Sequence, residues 1–436
     1  MHFCRRFTAL VLVAIGSFGC GSGDPAGAGS NAGSGGTSAA GAPGTGGVTA
    51  SGTGGATNGG GAGTVSGGGS GQAAGAAGMS TGGASTGGAA GAGGAASTGG
   101  ATGMAAGGAG DLHPLLALLP KFTAADVPVR GPMEAALKNP PGDKGTVPTL
   151  PGNGLAQHPL LYVGENYNRI LMTNQGKVIW SYDTQGGYEL DDVWMLSNGN
   201  ILYAHMTYIE EITPTKQVVW HYVPPGNAEI HSCQPIGLDK VLIALNADPM
   251  PKLQLIDIKT SAIELEHVLP EGASTGPHGQ IRRMRKTATG TYLVGFLTKA
   301  KVVEYDQDFT AIRTIAIPQP WSVARLHNGN TLILSEGEAT CKEFDAMGNI
   351  VWSLQKSSLM IQGAQIGGGT QTCERLASGN TAMFMRNGPG NVQLVEVAKD
   401  KSVVWALEDW NDLGDATTAQ FLDEPGIPEV PGSTEH

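Results

Sequence analysis

Residues 21–110 lack every aromatic side chain, leucine and isoleucine, and carry one charge, Asp24. Glycine, alanine, serine and threonine make up nearly all of the stretch. A segment so poor in apolar surface cannot offset the entropy lost on ordering, which excludes a packed domain there. It reads as a flexible tether whose Gly-rich coil would span roughly 50 Å. Long hydrophobic runs are missing as well. The apolar run of residues 9–15 is too short to cross a bilayer as a helix. Basic charge is scarce: residues 111–436 hold 24 Lys and Arg against 36 Asp and Glu. A net charge of −12 excludes nucleic acid and anionic lipid surfaces as natural partners. No Gly-x-Ser-x-Gly element, phosphate loop or adjacent cysteine pair occurs outside the tether. Cysteines number only five, and those outside the first 20 residues are Cys233, Cys341 and Cys373. Three thiols allow one disulfide at most, their spacing fits no zinc motif, and they read best as small buried residues.

What is present begins with Arg5 and Arg6, the apolar run, and Ser17-Phe18-Gly19-Cys20. This pattern reads as an export signal over residues 1–19. Gly19-Cys20 resembles the lipobox of bacterial lipoproteins, with Ser17 where that family usually has leucine. The resemblance implies a lipid on Cys20, a tether over 20–110, and attachment to the outer membrane or cell surface. An ordinary periplasmic or secreted protein is the alternative. Residues 111–157 carry eight prolines, from Pro114 to Pro151, and form a transition segment with short helical turns at most.

From His158 onward the sequence repeats. The stretch 321–354 holds four short apolar runs separated by Asn-Gly and Asp/Gly turns, an antiparallel meander that cannot bury a core alone. Gly-Lys-Val-Ile-Trp180 and Gln-Val-Val-Trp220 end two such units 40 residues apart, and Trp352 and Trp405 end later ones. A period of about 40–45 residues with four strands is the mark of a β-propeller. Five units are complete: 190–223, 230–269, 278–317, 320–354 and 370–407. The segment 160–182 has three strands, and 417–423 supplies the missing fourth. The expectation is an all-β fold: a six-bladed propeller over 158–431 whose last blade is closed by N- and C-terminal strands, followed by a tail at 432–436. Seven blades is the alternative.

Repeats of the Gly-Lys-Val-Ile-Trp type resemble those of quinoprotein (PQQ-like) propellers. In that family the tryptophan docks one blade on the next, a role this resemblance implies for Trp180, Trp220, Trp352 and Trp405. The Leu-Ser-Asn-Gly-Asn and Leu-His-Asn-Gly-Asn-Thr-Leu runs resemble repeats of bacterial arylsulfotransferases, a six-bladed family. Residues 158–431 also resemble exported bacterial propeller proteins with PQQ-like repeats, through Asp191-Asp192-Val193-Trp194, His231-Ser232-Cys233-Gln234-Pro235, Gly279-Gln280 and Asp423-Glu424-Pro425-Gly426-Ile427-Pro428. That resemblance implies the fold and no activity.

First strands line a propeller's channel, and aligning them on their turns makes Asp191, His231, Gly279, Trp321, Gln371 and Thr417 equivalent. Asp191, Asp192, His231, Gln371, Arg325 and Arg375 are the candidate channel ligands, suited to an anionic or sugar-like molecule. Their alternative role is to satisfy one another. His231, with His278, is the candidate catalytic group of an arylsulfotransferase-like enzyme, Arg325 or Arg375 holding the sulfuryl oxygens. A metal site of His231, Asp191, Asp192 and His278 has no motif behind it. No cofactor is predicted, while PQQ and a divalent metal stay open as alternatives. The composite expectation is a surface-tethered, monomeric binding or scaffold module facing an envelope protein or glycan.

Overall fold

The computed structural model describes residues 113–122, 149–165, 167–184, 189–274, 276–386, 391–409 and 413–436. The expected signal segment, Cys20 and the tether lie outside these residues. Six four-stranded antiparallel sheets are present among them. Blade 1 runs through Leu190–Met195, Ile201–His205, Tyr208–Ile212 and Val218–Tyr222. Blade 2 uses Glu229–Ile236, Lys240–Asn246, Lys252–Asp257 and Ile263–Val268. Blade 3 uses Ile281–Lys286, Tyr292–Phe296, Lys301–Tyr305 and Ala311–Ala316. Blade 4 comprises Pro320–Arg325, Thr331–Ser335, Thr340–Phe344 and Ile350–Gln355, and blade 5 Gly369–Arg375, Thr381–Arg386, Leu394–Val397 and Val403–Leu407.

Blade 6 is the closing one. Its inner strand, Thr418–Phe421, pairs antiparallel with Leu160–Gly164, which leads to Tyr167–Asn174 and Lys177–Asp183. Leu160 sits opposite Phe421 and Val163 opposite Thr418. The ring is therefore the six-bladed propeller expected, and the N- and C-terminal strands share the sheet of blade 6, which closes the ring.

The burial pattern follows from the repeat. Inner strands such as Leu190–Met195 are buried throughout, because neighbouring sheets cover both faces. Outer strands such as Ile263–Val268 are largely exposed at the rim. The turn leaving four inner strands needs a left-handed residue, and Gly199, Gly290, Gly329 and Gly379 supply it with φ of 84–93°.

Two devices tie blade to blade. Each signature tryptophan donates its indole N–H beyond its own sheet. Trp180 reaches the Pro214 carbonyl of blade 1 at 2.9 Å, and Trp220 reaches Ser261 of blade 2 at 3.1 Å. Trp352 reaches the Lys399 carbonyl of blade 5 at 3.2 Å, and Trp405 the Gly154 carbonyl at 2.8 Å. A buried indole removes about 150–250 Å² from water, worth roughly 4–6 kcal/mol as an upper estimate. The 3-10 turn Leu116–Lys121 and the adjoining Phe122 pack beside Trp180, whose ring meets Phe122 edge-on at 5.5 Å.

The second device explains the Asn-Gly-Asn runs. Asn200, Asn330 and Asn380 each donate an amide N–H to a glutamate on the third strand of their own blade: Glu211, Glu343 and Glu396. For the third-strand glutamates of blades 3, 4 and 5 the following segment adds a cation. Arg325 of blade 4 binds Glu304 of blade 3 at 2.5 Å, Arg375 of blade 5 binds Glu343 of blade 4 at 2.8 Å, and His158 lies 3.2 Å from Glu396. A disulfide, Cys341–Cys373, also joins blades 4 and 5, and Cys233 is a free, buried thiol.

Candidate binding site at the channel mouth

One irregularity recurs at the start of the inner strands. Pairing with the second strand slips between Leu190 and Asp192, Ile230 and Ser232, Ile281 and Arg283, Pro320 and Ser322, and Thr370 and Cys373. A bulge re-aims the extra residue away from the regular alternation. The residues inside these slips include Asp191, His231, Arg282, Trp321 and Gln371. Side chains from four of the blades meet there: Arg282 contacts both His231 and the Trp321 ring, and His231 contacts Asp191.

His231 is the hub. Its Nδ1 lies 2.5 Å from Asp191 Oδ2, 2.9 Å from Arg282 Nη1 and 3.2 Å from Glu189 Oε2. Its Nε2 lies 2.9 Å from Glu229 Oε2. His278 belongs to the same network: its Nδ1 donates to Glu229 at 3.0 Å, and its Nε2 accepts from Arg282 Nη2 at 2.7 Å. On the other side, Gln371 Nε2 donates to Glu165 Oε1 at 2.7 Å. Arg386 bridges Glu165 at 2.5 Å and Glu336 at 3.1 Å, and lies over the Trp321 ring.

The electrostatics follow from burial and crowding. Burial and the Arg282 charge both oppose protonation of His231, yet hydrogen bonds to Asp191, Glu189 and Glu229 outweigh them and raise its pKa to about 10. Glu229 is held down at about 2 by its two histidine partners, against the cost of burial. Glu189 is likewise depressed against burial, by His231 and Arg282. Burial, then repulsion from Asp191 and Glu189, lifts Glu165 to about 7 despite Arg386. Asp191 is raised first by burial and then by Glu189. Four buried polar atoms of this cluster have no partner: Asp191 Oδ1, Gln371 Oε1, Arg282 Nε and Arg386 Nε.

Among the described residues, two groups have the proximity of metal ligands. One is Glu189, His231 and His278; the other is Glu165, Glu189 and Asp191; in each, one ligand atom per residue lies within 4.8 Å of the others. In the first group the Arg282 guanidinium already donates to Glu189 and His278 and lies 2.9 Å from His231 Nδ1, so an ion there would have to displace a buried cation.

The candidate residues thus fall into three places. Asp191, His231, His278 and Gln371 gather at the mouth. Gly279 does not hold the position assigned to it. Its carbonyl accepts from Thr298, and the bulged residue of blade 3 is Arg282. Thr417 lies beside the cluster, its hydroxyl accepting the Glu165 N–H at 2.8 Å.

Asp192 is fully buried farther along the strand and is spent on structure. Its carboxylate accepts from Arg283 at 2.6 Å, from Arg285 at 2.7 and 2.8 Å, and from the Cys233 N–H at 3.0 Å. Blades 1 and 3 are not neighbours in the ring, so this ion cluster crosses the channel. Beyond it lies the buried side chain of His436. His436 packs edge-on against Trp194 at 4.5 Å, lies 3.2 Å from Glu374, and its carbonyl accepts from Arg285. Arg325 and Arg375 sit toward this same end, in the blade-to-blade ion pairs described above. Arg325 also lines a cleft of about 500 Å³ beside Thr287, Arg313 and His327.

Sequence reasoning missed Arg282, Glu165, Glu189, Glu229 and Arg386. A signal for Arg282 was present: Asp191, Arg282, Trp321 and Gln371 each stand eight residues before a turn glycine, Gly199, Gly290, Gly329 or Gly379. Glu189 and Glu229 each stand two residues before a bulged residue. Nothing periodic marks Glu165 or Arg386.

No protein-family model matches the chain, and no curated protein matches it. Solved structures do resemble it. A protein of unknown function from Bacteroides caccae is 21% identical, with a TM-score of 0.53, over 60% of this chain and 97% of that one. A catalytically inactive virginiamycin B lyase from Staphylococcus aureus, solved with quinupristin, is 10% identical, with a TM-score of 0.42, over 60% of this chain and 88% of that one. The WD40 propeller domain of Doa1 is 12% identical, with a TM-score of 0.39, over 51% and 71%. At these identities the likeness establishes the fold, a β-propeller, and that is the whole of what it establishes.

Proposed function

We propose that the chain is a binding module of the cell envelope whose channel mouth takes a polyhydroxylated ligand, a glycan. One observation carries this reading. The mouth leaves two acceptors, Asp191 Oδ1 and Gln371 Oε1, and two donors, Arg282 Nε and Arg386 Nε, buried without partners. Buried polar atoms are nearly always paired in a finished structure, so unpaired ones mark where a ligand completes the network. A sugar hydroxyl both donates and accepts, and suits a mouth offering both. The tether and the lipid on Cys20 belong to the same reading on the strength of Arg5, Arg6, the apolar run and Gly19-Cys20. They hold a monomeric propeller off the membrane at the outer membrane or surface. The Gly-Lys-Val-Ile-Trp repeats, of the type found in PQQ-like propellers, serve it as docking devices.

The arylsulfotransferase-like alternative asks His231 to attack a substrate. That ring is wholly buried, both nitrogens face carboxylates, and its raised pKa keeps it cationic at neutral pH. A cation without a free lone pair is no nucleophile. Binding therefore accounts for the site better than turnover.

The test is retention of the full chain on immobilised lipopolysaccharide and peptidoglycan oligosaccharides, wild type beside Asp191→Asn and Gln371→Leu. Loss of one hydrogen bond to a charged group should weaken binding roughly 10- to 100-fold in Asp191→Asn. No retention of any glycan, or retention by both variants equal to that of wild type, refutes the assignment.

A further inference from the structure

We infer that the mouth holds a hard divalent cation of the calcium class between Glu165, Glu189 and Asp191, with the Gln371 amide as a fourth ligand. One oxygen from each carboxylate lies within 4.8 Å of one from each of the others. Each acid already has one oxygen committed to a basic group: Glu165 Oε2 to Arg386, Glu189 Oε2 to Arg282, and Asp191 Oδ2 to His231. The second oxygens are what remains. Asp191 Oδ1 is buried and unpartnered. Glu165 Oε1 receives the Gln371 amide N–H.

Gln371 supplies the independent evidence. Its side chain is fully buried and reaches the cluster through Glu165, while its own Oε1 has no partner. Turning the amide over exchanges its nitrogen for that oxygen and adds a neutral ligand to three anionic ones. Carboxylate and amide oxygens alone favour calcium, manganese or magnesium over softer ions. The nitrogen-containing group nearby, with His231 and His278, is spanned by Arg282 and is the poorer host.

Calcium takes six to eight oxygens and this set supplies about four, so coordination positions remain for vicinal hydroxyls of a bound sugar. That last step rests on the glycan reading above; the cation itself does not.

The experiment titrates Ca²⁺, and separately Mg²⁺, into EDTA-treated full-length chain by calorimetry, with Mn²⁺ electron paramagnetic resonance as a second readout. One Ca²⁺ per chain is expected, with affinity at least tenfold weaker in Glu165→Gln and in Asp191→Asn. Unchanged circular dichroism checks that each variant folds. The inference is overturned if neither Ca²⁺ heat nor a Mn²⁺ signal appears, or if both variants bind as wild type does. It is also overturned if His278→Ala loses the ion while Asp191→Asn keeps it. Glycan retention that persists unchanged in EDTA overturns the step in which the ion holds the sugar hydroxyls and leaves the ligand site standing. Bound Ca²⁺ without retention of any glycan supports the cation and overturns the ligand reading.

Discussion

Replacing Asp192 tests whether the ion cluster across the channel is structural. The side chain is fully buried, and its two oxygens take three hydrogen bonds from Arg283 and Arg285. Burial works against the carboxylate, but Arg283 and then Arg285 overcome it, and the pKa lies well below the usual range. Asp192→Ala leaves two guanidinium groups buried beside each other without their counter-charge. Breaking a buried ion pair from one side costs about 3–5 kcal/mol. In a domain of this size that lowers Tm by something on the order of 10 °C. The assay is thermal and guanidinium unfolding of the full chain, followed by near-UV circular dichroism on the buried Trp194, over which Arg285 lies at 4.8 Å. The triple variant Asp192→Leu, Arg283→Met, Arg285→Met removes the carboxylate together with both guanidinium groups, leaves His436 its Glu374 partner, and should recover most of the loss, because the damage lies in the stranded cations. A single variant costing less than about 1 kcal/mol, or a triple variant no better than the single, would refute the reasoning.

Two further perturbations address the blade-to-blade ties. Cys341→Ser with Cys373→Ser opens a link spanning 32 residues, which on loop entropy should cost about 3–4 kcal/mol; equal stability of oxidised wild type and the double variant in denaturant would contradict it. His158 is opposed by burial but raised to about 9 by Asp423 and Glu396, the charged groups at its two nitrogens, with Glu424 close enough to feel its charge. Its folded pKa lies above the unfolded 6.5, so its stabilisation is complete below about pH 6.5 and is lost as pH rises through 9. After solvent screening that amounts to about 1–2 kcal/mol. His158→Gln should flatten the fall of Tm between pH 6.5 and 9, and an unaltered slope would dismiss the ion pairs.

Local signals carried the architecture. Asn-Gly turns are readable within a single unit, and a period near 40 and a recurring tryptophan by laying one unit along the next. The unpaired strand at 417–423 announced the closure that Leu160 and Phe421 make. The site is a different kind of object, because every member is defined by a partner on another blade. Arg325 and Arg375 look like channel cations until Glu304 and Glu343 are seen on the third strand of the preceding blade. Those acids were present in the sequence as a periodic feature, Glu211, Glu304, Glu343 and Glu396, but pairing them with the next unit needs the order of blades around the ring. Arg282 was concealed differently. The approach to blade 3 carries a 3-10 turn at Pro270–Gly272 and then His278 and Gly279, so polar residues begin before the strand does. Counting eight residues back from Gly290 lands on Arg282 regardless of that lead-in, as the same count does for Asp191, Trp321 and Gln371. The bulge gives that count its physical meaning. In blades 1 to 5 it is where the inner strand escapes pairing with the second strand, and so a place where a repeat built for packing can carry a different side chain in each of those blades.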